Sequence, residues 1–91
     1  MKLGMARDID RIIERLKAEI PDIHIVQLQV GHPRADDDGL WFIEVPGHTE
    51  KVQVESSNGE CPFLIESDFS TASSHGHSVE EVISMVRRLY A

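Results

Sequence analysis

The sequence predicts a two-layer α+β domain, ordered α-β-β-β-β-α, with both helices on one face of a four-stranded antiparallel meander. Three observations carry this reading. Apolar residues recur at three- and four-residue steps near both ends of the chain, the period of an amphipathic helix. The segments between them alternate apolar and polar side chains, as half-buried strands do. Asn58-Gly59 stands between two such runs, and both residue types tolerate the positive φ of a two-residue hairpin turn.

The first helix is expected over residues 5–20, where Met5, Ile9, Ile12, Ile13, Leu16 and Ile20 form one apolar stripe. Pro21 disfavours helical geometry at Ile20 and ends the run. Residues 23–30 are rich in β-branched side chains. The alternation places Val26, Leu28 and Val30 inward, with Ile25, Gln27 and Gln29 outward and His24 in phase with the inward set. Residues 31–39 are a loop of Gly, Pro and Asp. Asp36, Asp37 and Asp38 do not make an EF-hand, because the position that needs a bidentate Glu is Gly47.

Residues 40–45 form the next strand, with Trp41, Ile43 and Val45 inward and Leu40, Phe42 and Glu44 outward. Pro46 to Thr49 then turn the chain into the hairpin of residues 50–68. A tight turn at Asn58-Gly59 pairs Val54 with Phe63, Val52 with Ile65 and Lys51 with Glu66. Residues 67–77 read as a long polar, Ser-rich loop. Ser78 opens the second helix with a capping box to Glu81, and Val79, Val82, Ile83, Val86 and Leu89 supply its stripe.

The 91 residues make a single domain, residues 1–91, with 41% hydrophobic and 27% charged side chains, an ordinary globular balance. No apolar run is long enough for a membrane-spanning helix, and the charged N-terminal segment lacks the apolar core of a signal peptide. The single cysteine agrees with a reducing cytoplasm. Net charge is −7, and residues 21–77 carry only Arg34 and Lys51 against ten acids. That field repels phosphate backbones and disfavours nucleic acid as a partner, while a basic protein partner is electrostatically permitted.

Little in the chain names a reaction. His75-Gly76-His77 is the best metal candidate, because two imidazoles two residues apart can converge on one ion; Asp68, Cys61 and His48 are possible further ligands. Cys61 could be a nucleophile, but it lies in a strand on the apolar face rather than at a helix N-terminus, which reads as a buried small hydrophobe. No nucleophile-elbow motif, phosphate-binding Gly loop or catalytic carboxylate pair is present, and no cofactor is indicated.

Helix, strands and final helix together resemble the order of the double-stranded RNA-binding domain. That family relies on lysines where this chain has His77-Ser78-Val79-Glu80-Glu81, so the resemblance implies topology and not RNA binding. The segments DDDGLWFIEVPGH and GHSVEEVISMVRRL resemble parts of HicB-type antitoxins, over less than a third of the chain and with the whole central hairpin intervening. No functional residue is carried across from either.

The reading that follows is a small cytoplasmic protein-interaction module, acting by self-association or on a larger partner. Its contact surface is the uncovered sheet face: Ile25, Leu40, Phe42, Glu44, Gln53 and Leu64. The alternatives are metal or small-ligand binding at His75 and His77, or antitoxin- or immunity-like neutralisation of a basic protein.

Overall fold

The structure, a computed structural model, describes residues 6–28 and 39–90. Helix α1 spans Asp8–Glu19 and α2 spans Val79–Leu89. Between them lie β1 (His24–Gln27), β2 (Leu40–Glu44), β3 (Lys51–Glu55), β4 (Phe63–Ser67) and β5 (Ser70–Gly76). The strands form one antiparallel sheet in sequence order, with β1 and β5 at its edges. The class is α+β, as the periodicities require. Met5, Gln29, Val30 and the aspartate loop at 36–38 lie outside the described residues.

Both helices cover the same face. Ile9, Ile12 and Leu16 of α1 and Val82, Ile83 and Val86 of α2 share one buried cluster with Trp41, Ile43, Val52, Val54, Phe63 and Ile65. Fully burying one such side chain contributes roughly 1.5–3 kcal/mol, so this layer holds the sheet to the helices. Trp41 packs edge-to-face on Phe63 at 6.5 Å, beneath the helices. Outside the core, Arg15 pairs with Glu80, and Arg87 grips Glu19 through bonds of 2.7 and 2.8 Å. These pairs are exposed and contribute little beside the burial.

Three expectations are corrected. First, the sheet has five strands, not four: the Ser-rich stretch expected to be a loop is largely β5. Its signal is hidden because Ser70 to His75 are all exposed, so neither face selects apolar residues. Second, β1 has the opposite phase. Ile25 faces Ile43 and packs on the core, whereas Val26 faces Phe42 and is 56% exposed. Ile25 therefore leaves the proposed contact face and Val26 joins it. Short strands with apolar residues at successive positions do not reveal their phase by alternation alone.

Third, the β3–β4 connection is longer than a two-residue turn. Val54 pairs with Ile65 and Val52 with Ser67, a two-residue slip from the expected register. Among the described residues positive φ occurs only at glycines, with Gly59 at +74°, so a type I′ turn with Asn58 left-handed is absent. The connection instead closes on itself and on α1. The Ser56 hydroxyl donates to the Glu60 carbonyl at 2.6 Å, and the Ile9 amide donates to the Gly59 carbonyl at 2.9 Å. The Cys61 amide donates to Asp8 Oδ2 at 2.9 Å, and Cys61-Pro62 is cis. Because the slip is even, every side chain keeps its face.

The capping box of α2 forms with one change. Ser78 Oγ accepts from the Glu81 amide at 3.1 Å, but Glu81 Oε1 reaches back to the His77 amide rather than that of Ser78. Among the described residues, no helix is long and apolar enough to cross a membrane.

Gly39 sits against the same connection. The Ser56 amide donates to its carbonyl at 2.8 Å, and a Cβ on Gly39 would lie 2.1 Å from the Ser56 carbonyl oxygen. Gly39→Ala is expected to lower unfolding free energy in urea by roughly 1–3 kcal/mol, the usual cost of forcing backbone aside in a packed site.

Candidate functional site

The ladder arranges the helix-free face into rows. One runs Leu40, Glu55, Leu64, His75; the next runs Val26, Phe42, Gln53, Glu66; a third runs His24, Glu44, Lys51. The Leu28 amide donates to the Leu40 carbonyl at 2.8 Å, which places Leu28 beside the first row. Val26, Leu28, Leu40, Phe42 and Leu64 are the apolar side chains of this face, and none belongs to the core cluster. Among the described residues no helix lies over them. Val26, Leu40 and Phe42 gather on β1 and β2 with Leu28 just past the end of β1, and Leu64 stands apart across Glu55.

Of the residues expected on this face, Leu40, Phe42, Glu44, Gln53 and Leu64 are there and half-buried, and Ile25 is not. Val26 takes its place, because β1 has the phase opposite to the one its apolar residues suggest. Charge frames the apolar group. Lys51 Nζ lies 3.3 Å from Glu44 Oε2, opposite it in the ladder, and not opposite Glu66 as the tight-turn register required. Asp68 Oδ2 accepts from the Lys51 amide at 3.0 Å. Val26, Phe42, Glu44, Lys51, Gln53 and Asp68 enclose a shallow depression of about 260 Å³. With Glu55 and Glu66 alongside, the rim is predominantly acidic.

A second concavity lies on the other face, between β5 and α2. Ser67, Ser70, Ala72 and Ser74 line it on the sheet side and Met85 and Leu89 on the helix side, enclosing about 470 Å³. The small β5 side chains leave this space because they do not fill the distance to the helix. It was invisible in the sequence, where β5 read as a loop.

The candidate ligands are scattered. His75 is on β5 beside Leu64, and His77 follows the strand. His48 stacks edge-on against Tyr90 at 5.1 Å, and Asp68 is in the β4–β5 turn. Cys61 packs against the core, and its thiol is pushed up to about 11 by burial first, then by a hydrogen bond and negative charge from Asp8 and by Glu60 and Glu81. A thiol held in that state is a poor nucleophile at neutral pH.

Tyr90 closes the opposite end. Its hydroxyl lies 2.8 Å from the Glu50 carbonyl and 3.0 Å from that of Ile43, and its ring meets Phe69 edge-on at 5.2 Å. Burial, with Glu44, Asp68 and Glu50 nearby, pushes its pKa up to about 12. Comparison with family models, curated proteins and solved structures finds no match.

Cys61 is expected to react with iodoacetamide at pH 8 about a hundredfold more slowly than an unhindered thiol, the ratio a two-unit rise implies. Tyr90→Phe is expected to lower stability by about 1–2 kcal/mol. Both acids are favoured neutral in the folded state. Stability present at neutral pH is therefore lost as pH rises, between about 9 and 11 for Cys61 and about 10 and 12 for Tyr90. Urea titrations across that range should show the upper step disappear in Tyr90→Phe.

Proposed function

We propose that this chain is a cytoplasmic protein-contact module whose working surface is the helix-free sheet face. The observation that carries the reading is the joined apolar group Val26, Leu28, Leu40 and Phe42, held outside the core. An apolar centre within a polar rim is the anatomy of non-obligate protein interfaces. The rim selects the partner. Glu44, Glu55, Glu66 and Asp68 outnumber Lys51, on a chain of net charge −7, so a protein surface with an apolar centre and a basic rim is complementary. Two copies meeting face to face would set acid against acid, and a different, basic protein fits better than self-association through this face.

The test compares wild type with Phe42→Glu as bait for partners from the source cell, with light scattering of each protein alone. Phe42 is half-buried on the open face, so the substitution is expected to preserve the circular dichroism spectrum. It should weaken capture at least tenfold, and rising salt should weaken wild-type capture too. Equal capture by both proteins at all salt concentrations would refute the assignment. A doubled mass for wild type alone that Phe42→Glu abolishes would replace the basic partner with a second copy.

A further inference from the structure

We propose that His75 and His77 form half of a zinc-class divalent site that a second copy of this chain completes. His75 lies on β5 and His77 directly follows its last residue, and the two imidazoles come together there. The two rings lie nearly parallel, 28° between planes, with centroids 6.4 Å apart. Two imidazoles bound to one zinc through bonds of about 2.0–2.1 Å have centroids roughly 5 Å apart, so binding requires the exposed rings to turn and close by about 1 Å. Both residues are exposed, and neither ring is hydrogen-bonded or ion-paired among the described residues.

The described residues of one chain bring two ligands together here. Among the described residues no third His, Cys, Asp or Glu gathers with them, whereas a closed zinc site takes four. The place of the pair in the fold says where the other two come from. β5 is an edge strand, and among the described residues no further strand stands beside it in the sheet. Ser70–Gly76 contains no Asp, Glu, Lys or Arg, in a chain where like charge otherwise repels a second copy. Two copies approaching along this edge bring two imidazoles each, and a divalent cation between them offsets negative charge on both. The inference stands independently of the open-face assignment.

Untagged protein titrated with zinc chloride tests it, by calorimetry for stoichiometry and by light scattering for mass. One zinc per two chains is expected, with a doubled mass that EDTA reverses. His75→Ala and His77→Ala should each weaken binding at least tenfold and abolish the mass change, with unfolding midpoints matching wild type. His48→Ala and Phe42→Glu should retain both, which separates this site from the contact face. One zinc per chain without a mass change, binding that survives His75→Ala, or no binding below millimolar zinc would each overturn the proposal.

Discussion

Burial of one sheet face beneath two helices is the constraint on which the rest of this molecule depends. Both helical stripes and the inward residues of β2, β3 and β4 meet in one cluster, with Val52, Val54, Phe63, Val82 and Val86 wholly inaccessible. A chain of this length has apolar side chains for one such layer and not for two. The opposite face is consequently left to mixed residues, and its character follows from what the core did not take. Leu40 and Phe42 alternate with Trp41 and Ile43 on the same strand, so the strand that contributes the largest core side chain also contributes the centre of the open patch.

The two ends of the sandwich are held differently. At one end polar bonds dominate: the Ser56–Pro62 connection folds on the Ser56 hydroxyl and binds the start of α1 through Gly59 and Asp8. At the other, aromatic contact dominates: Tyr90 anchors the end of α2 to the carbonyls of Ile43 and Glu50 and to the rings of His48 and Phe69. Both arrangements include contacts between residues far apart in the chain, such as Asp8 with Cys61 and Tyr90 with Ile43, at modest energies per contact. They set where the strands begin and end, and the core sets which way the side chains point.

Electrostatics gives the open face its direction. The acids concentrate in the central part of the chain, and the ladder spreads Glu44, Glu55 and Glu66 over the helix-free side while the bases sit mainly on the helices. Arg15 and Arg87 are engaged with Glu80 and Glu19. The exposed sheet thus combines an apolar centre with a predominantly acidic rim, the two features on which the proposed contact role rests. The β5 edge, without Asp, Glu, Lys or Arg, is the exception, and the proposed zinc-bridged contact uses it for that reason.

By itself the sequence determined the helices, the antiparallel α+β class, the sharing of one core face and the acidity of the other. Those features depend on local periodicity, capping and composition, which adjacent residues encode. The 3.6-residue stripes of α1 and α2 and the Ser78 cap are of this kind. Only the tertiary structure decided the phase of β1, the β3–β4 register and the existence of β5. Ile23, Ile25 and Val26 are apolar on both parities, so Ile25 turns inward because Ile43 is its neighbour, not because of anything within β1. Asn58-Gly59 is a sound hairpin signal, yet bonds from Ile9 and Asp8 outweigh it. Ser70–Gly76 is a strand through its pairing with β4, since an edge exposed on both sides leaves no hydrophobic pattern to read.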